Sequence, residues 1–410
     1  MKLPFKLACG AGLLALSLQT LAAVHAPRPD PQQGDGRVSP FYTWQQEIPA
    51  QPGKLLRSEP LPVQLSLAEA GAQQRILYSS TNGIDGKTPI VVSGALFLPK
   101  GKAPTGGWPV VSWGHGTVGV ADICAPSWAG RSIRDVNYLN AWLREGYAVV
   151  ATDYQGLGVP GGHPLLNSRV AAYGILDAAR AVIAGTPGLA NKVLIVGQSQ
   201  GGAGAYAAAA YAPDYSPALG VKGTVATGVI YKITDNKTRP PKDPNQVDET
   251  LAYGFYTLLA QQQYDPSIDP QDYFTREALP FVEQARTSCL AALEADTVFS
   301  GRTLANTRKQ PSAEAAAKLR PWIQAIDFPT LKLKQPIFIG AGETDPSTTA
   351  QSQSSLARDS CAAGSVVEAH VYAGLEHSGT VNASLKDSIP FARKVLAGEP
   401  ITPVCNPTPQ

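Results

Sequence analysis

The sequence predicts an α/β fold in which a mainly parallel, doubly wound sheet carries an inserted helical cap. Three observations lead there. Short apolar, β-branched runs bounded by Gly, Pro or Asp recur along the 410-residue chain, and helical patterns lie between several of them. One long stretch, residues 231–327, has helix-forming sequence and no strand. A Gly-x-Ser-x-Gly pentapeptide sits directly after one of the strand-like runs.

Taken from the start, residues 1–26 read as a secretory signal. Lys2 and Lys6 give a positive beginning, an apolar run follows, and Leu21-Ala22-Ala23 offers small residues for cleavage. The run is too short for a retained membrane span, and no later stretch approaches a span without charges. Residues 27–60, rich in Pro, Gln and Gly, read as an extended arm. Positions 1–23 contain no Asp or Glu, so losing Lys2 and Lys6 takes the formal charge from +2 to 0. That balance excludes nucleic acid and anionic lipid as partners. Close to 390 mature residues of low charge density are enough for one large core, and a monomer is expected.

The core is expected in residues 61–230 and 328–400, with strands at 90–97, 109–113, 148–152, 193–196, 221–227, 336–339 and 366–372. Helical spacing at 136–145, 169–183, 202–212 and 384–396 supplies the crossovers. The cap, residues 231–327, is expected to hold helices at 248–263, 275–296 and 312–326. Placed between two core strands, it belongs over the carboxyl ends of the sheet, where such folds bind ligands. Residues 401–410 read as a tail. With Cys9 removed in the signal, Cys124, Cys289, Cys361 and Cys405 form an even set, expected as two disulfides among three possible connectivities.

The chemistry starts at Gly197-Gln198-Ser199-Gln200-Gly201. A buried-strand run, Val193-Leu194-Ile195-Val196, precedes it, and small residues suited to close helix packing follow, which is the strand, sharp turn, helix setting of a nucleophilic serine. A serine hydroxyl needs a base, and histidine suits that task near neutral pH. Of the five histidines, His377 lies on a loop just past the last strand, whereas His25, His115, His163 and His370 lie at the processed terminus, an early strand end, a Gly-Pro loop and a strand interior. In an α/β-hydrolase fold the order is Ser, acid, His. Asp345, after the run at 336–339, is the expected acid, with Glu343 as the alternative. Its work is to fix the imidazole's tautomer and stabilise the imidazolium. Asp153 precedes the serine and reads as a loop-ordering carboxylate. The amide of Gln200 and that of Thr117, in Trp113-Gly114-His115-Gly116-Thr117, are the expected oxyanion donors, with Gly116 beside Thr117 as the other choice. His115 reads as ordering that loop. The histidines and carboxylates show no paired metal-ligand spacing, so neither metal nor cofactor is expected.

Several segments together resemble the secretory lipases of the lipase A type, within the α/β-hydrolase superfamily. They are Trp113-Gly114-His115-Gly116-Thr117 leading to Cys124-Ala125-Pro126-Ser127, Asp153-Tyr154-Gln155-Gly156-Leu157-Gly158 with Gly162-His163-Pro164, the Ser199 pentapeptide, and the segments around Asp345 and Gly374-Leu375-Glu376-His377. The resemblance implies a cofactor-independent, secreted carboxylic ester hydrolase that acts on acylglycerols and other esters, with a lipid-water interface among the places where it meets them. It also implies a cap inserted before the acid-bearing strand and a disulfide from Cys124 to the cap, hence Cys124–Cys289, leaving Cys361–Cys405 to pin the tail. One departure is the polar character of Leu165-Leu166-Asn167-Ser168, which bears on the shape of the pocket.

Overall fold

The structure is a computed structural model that describes residues 38–232 and 242–410. The expected signal peptide, Cys9, His25 and the first part of the arm lie outside the described residues.

Nine strands form one sheet. They are β1 (Leu55–Pro60), β2 (Ala70–Thr81), β3 (Pro89–Pro99), β4 (Trp108–Gly114), β5 (Ala148–Thr152), β6 (Leu189–Gln198), β7 (Val221–Thr227), β8 (Ile337–Gly342) and β9 (Val367–Tyr372). Their order is β1-β2-β3-β5-β4-β6-β7-β8-β9. β1, β2, β3 and β5 pair antiparallel, and every pair from β5 onward to β9 is parallel. The parallel strands are largely apolar, with β5 and β8 buried throughout, because both faces of the sheet are covered. On one face lie α3 (Ser168–Gly185), α4 (Gln200–Tyr215) and α11 (Ala350–Ala362). On the other lie α2 (Ile133–Arg144), α12 (Gly379–Ala383) and α13 (Leu385–Ala397), which bury Tyr138, Trp142, Val381 and Phe391 against the sheet. A single turn, α1 (Pro126–Ala129), follows β4. This is the mainly parallel, doubly wound fold that the alternation predicts.

The cap contains α5 (Leu251–Gln262), α6 (Leu279–Ala285), α7 (Leu290–Phe299), α8 (Leu304–Thr307), α9 (Ala313–Lys318) and α10 (Arg320–Ile326). It has its own apolar core around Phe255, Tyr256, Phe274 and Leu293, which Val120 and Leu165 of the sheet's loops also enter. Two disulfides are present, Cys124–Cys289 and Cys361–Cys405. At the first, Gly119 bridges Cys289 and the amide of Leu290 donates to Val118 O at 2.8 Å, so α7 begins on the loop after β4.

The structure corrects three expectations. The arm of residues 27–60 ends in β1, an edge strand, and the start of the core is β2, whose polar first half (Ala70-Gly71-Ala72-Gln73-Gln74-Arg75) carries no strand pattern. The helix expected at 275–296 is two, parted where Cys289 is held by its disulfide. The helix at 312–326 also breaks, at Leu319, because Pro321 cannot donate within a continuous helix and opens α10 instead. Residues 401–410, held by Cys361–Cys405, also pair with the sheet: Val404 and Pro409 bridge Glu368 and Val371, and the amides of Ala369 and Ala373 donate to Val404 and Gln410. They cover the free edge of β9, an edge that would otherwise offer open hydrogen bonds to another chain.

Register sets the site. Gly114 lies opposite Gly197, Gln198 opposite Thr227, Thr227 opposite Gly340, and Gly342 opposite Tyr372. The loops after β4, β6, β7, β8 and β9 therefore leave the sheet together at one end.

Candidate active site

Ser199 stands between β6 and α4 with φ 58° and ψ −119°, a left-handed conformation that costs a non-glycine residue about 1–3 kcal/mol. The turn holds because its flanks have no side chains. A Cβ on Gly197 would lie 1.9 Å from Gly201 O, and one on Gly201 would lie 1.9 Å from Gly114 O. The pentapeptide's glycines are thus sites where backbones touch. The Ser199 amide donates to Thr227 O at 2.9 Å, which ties the turn to β7.

Asp345 is 4% exposed, and the loop that follows β8 closes on it. Its Oδ1 accepts the amides of Ser347 and Thr348 at 2.8 and 2.9 Å, and its Oδ2 accepts the Thr348 hydroxyl at 2.7 Å. The same Oδ2 meets His377 Nδ1 at 2.6 Å. Burial pushes this carboxyl up, but the His377 N–H and the Thr348 donors outweigh it and hold Asp345 below the usual carboxylate range. The anion on Oδ2 fixes the proton on Nδ1 and leaves Nε2 as the basic nitrogen. Nε2 accepts the side-chain amide of Gln198 at 2.9 Å, and Arg134 Nη2, donating to Gln198 Oε1 at 3.0 Å, orients that amide. Gly228, at φ 57°, lets the backbone pass under the ring: a Cβ there would lie 2.8 Å from His377 Cε1.

Gln200 opens α4, so its amide has no acceptor within the helix and points from the helix's positive end. Across from it runs the loop after β4. A Cβ on Gly116 would lie 3.4 Å from the Ser199 Cβ, and Thr117 faces the same cavity as Ser199 and His377. The cavity measures 820 Å³ and lies between sheet and cap, with Leu165, Leu166, Ile230, Leu251 and Leu304 among its apolar walls.

The remaining expected residues fall as follows. Glu343 accepts the Gly374 amide at 2.8 Å and braces the loop before His377. Glu376 accepts the Ser378 and Gly379 amides at the start of α12. His370 stacks on Phe338 and meets Glu368 and Gln410, at the sheet's far edge. His115 Nδ1 bonds Gly116 O at 2.6 Å and its ring lies 4.5 Å from that of Tyr154, whose hydroxyl donates to His115 O. His163 Nδ1 donates to Gln155 O at 2.7 Å and its Nε2 accepts the Gln200 side chain at 3.0 Å. Burial pushes His163 down to about 4, so it is neutral at ordinary pH. Asp153 is buried among donors from Ser93 and Ser127, which joins two of the resembling segments and keeps it away from His377. Asn167 caps α3 and Ser168 tethers Asp327, so the polar residues of that segment are spent on local structure while Leu165 and Leu166 line the cavity.

Sequence reasoning misses Thr348, Gln198 and Arg134. An Asx-turn signal, Asp345 with Ser347 and Thr348 close behind, is available for the first. Nothing in the sequence announces the other two.

The fold is that of the α/β hydrolases. The structure is similar to Candida antarctica lipase A, with TM-score 0.72 at 19% identity over 91% of this chain and 89% of that one. It is also similar to the rice cell wall degrading esterase LipA from Xanthomonas oryzae, with TM-score 0.67 at 19% identity over 85% of this chain and 99% of that one. No curated protein matches the sequence significantly. The profile of the secretory lipase family matches residues 132–402, and the chain belongs to that family. It is therefore a carboxylic ester hydrolase. The family and the two disulfides point to a secreted protein, and among the described residues no helix is long and apolar enough to cross a membrane.

Proposed function

We propose that Ser199, His377 and Asp345 form a catalytic triad that hydrolyses acyl esters through an acyl-enzyme. His377 Nε2 takes the Ser199 proton as Oγ attacks the ester carbonyl, and the imidazolium then protonates the departing alcohol. Asp345 stabilises that imidazolium. The amides of Gln200 and Thr117 stabilise the oxyanion, a term worth about 3–4 kcal/mol per donor. Water, activated by the same histidine, releases the acid.

The observation that carries this reading is the Asp345–His377 hydrogen bond together with a left-handed Ser199, with Ser199 and His377 lining one cavity. The apolar walls suit an acyl chain, and acylglycerols are the proposed substrates, met outside the cell or in a periplasm by a monomeric enzyme. A fluorophosphonate probe should label the protein and fail on Ser199→Ala; labelling or full activity in that variant overturns the reading. Emulsified long-chain acylglycerols, short soluble esters, polymeric esters and matched amides then rank the substrates. Activity confined to short soluble esters removes the lipase label, preference for polymers moves the enzyme towards the cell-wall esterase, and cleavage of amides at comparable rate makes it a peptidase.

A further inference from the structure

The cavity that holds Ser199 and His377 also holds a cation that has no counter-ion among the described residues. Arg308 follows α8 and lines the cavity. Lys242, the other basic side chain on that wall, is neutralised by Asp248 at 2.8 Å. Among the described residues the Arg308 guanidinium has neither an ion pair nor a side-chain hydrogen bond. It is exposed to the cavity's solvent, and the protein crowded around it pushes it down to about 10. Among the described residues no carboxylate offsets the effect.

The guanidinium is nevertheless held in place. The Arg308 backbone bridges Phe274 and its amide donates to Leu304 O at 3.0 Å. Its Cζ lies 4.5 Å from the centre of the buried Phe274 ring. It rests in a notch on α5, where a Cβ on Gly254 would come within 1.7 Å of Nη2. Any side chain at position 254 would evict it. A guanidinium that is fixed in the cavity wall, and among the described residues unpaired, is free to receive an anion there, and a planar fork of donors matches a carboxylate in two parallel hydrogen bonds.

Resting on the serine-hydrolase reading above, we infer that Arg308 is a specificity residue that binds a carboxylate carried by the ester substrate at a distance from the scissile bond. The preferred substrates are then half-esters of long dicarboxylic acids, or esters of long hydroxy acids. The two differ only in which side of the scissile bond bears the charge.

Two matched pairs test it on the intact protein. The p-nitrophenyl half-ester of sebacic acid is compared with p-nitrophenyl decanoate, and acetylated ω-hydroxydecanoic acid with decyl acetate, the first pair by chromophore and the second by proton release. In at least one pair the charged ester should have the higher kcat/KM by about ten-fold, the worth of one charge-assisted hydrogen bond. Arg308→Gln should abolish that ratio and Arg308→Lys keep part of it. The ratio cancels any general damage to the variant. Equal kcat/KM within both pairs, or an unchanged ratio in Arg308→Gln, overturns the inference. Failure of the parent reading looks different: Ser199→Ala would then still hydrolyse the neutral esters.

Discussion

The side-chain amide of Gln198 occupies His377 Nε2 at 2.9 Å, the nitrogen that has to receive the Ser199 proton in the proposed reaction. The residue just before the nucleophile thus competes with the nucleophile for the base. A hydrogen bond of this kind is worth about 0.5–1.5 kcal/mol. Gln198→Leu should therefore raise the single-turnover acylation rate about two- to ten-fold, read from the p-nitrophenol burst. A rate equal to or below wild type would mean that the amide steadies the ring and does not obstruct it.

Asp345→Asn should leave the fold intact and lower kcat by about ten-thousand-fold, because an amide no longer dictates which ring nitrogen carries the proton. The same carboxyl is a stability probe. Its native pKa lies below the unfolded value of about 3.9, so its contribution is complete above that value and is lost as the pH falls through the lower native one. The difference in Tm between wild type and Asp345→Asn should shrink in strong acid. A difference that stays constant from neutral pH to acid contradicts the assignment.

His163 acts in the same direction but begins at a higher pH. Its native pKa of about 4 lies below the unfolded value of about 6.5, so the unfolded chain takes up the proton first and stability falls as the pH drops between the two. The full span is worth about 3 kcal/mol. Asn reproduces one donor and one acceptor without titrating, so calorimetry at pH values across this window should show a shallower decline for His163→Asn. Parallel curves would place the acid sensitivity elsewhere.

Cys289→Ser should destabilise the protein by about 2–4 kcal/mol, since the bond to Cys124 closes a loop of 165 residues. It should also slow acylation, because the cap is pinned to the loop that carries Thr117. Denaturant unfolding checks the first expectation and burst kinetics the second. Cys405→Ser should cost stability through the shorter 44-residue span yet leave acylation unchanged, as the tail lies along β9 away from the serine.

What can be read from the sequence follows from how each signal arises. β5 is delimited to the residue because a strand buried on both faces is a compact apolar run, and β7 because its β-branched Val221, Thr224, Val225 and Thr227 carry the strand signal past Lys222. β1 and β2 escape because half of each is polar, and their strand character comes from pairing along the antiparallel end of the sheet. α11 escapes as well: Ala350-Gln351-Ser352-Gln353-Ser354-Ser355 has helix-cap chemistry at Thr349 but almost no apolar stripe. Chain order places Ser199, Asp345 and His377 as candidates, since each follows a strand that a parallel sheet must deliver to one end. Gln198, Arg134 and Arg308 depend on contacts across 179, 64 and 34 residues of sequence, the last measured to Phe274, and no local pattern encodes those.

The two disulfides join the four described cysteines in consecutive pairs along the chain, Cys124 to Cys289 and Cys361 to Cys405. A chain threaded outward from its amino end delivers those thiols one at a time. Cys124 and Cys289 are both out before Cys361 emerges, with Cys405 still to follow. An oxidant that joins cysteines in order of arrival therefore makes both native bonds without reshuffling. A fully reduced chain diluted into oxidising buffer presents all four at once, with three ways to pair them. Vectorial emergence supplies the selection that the reduced chain has to find by exchange.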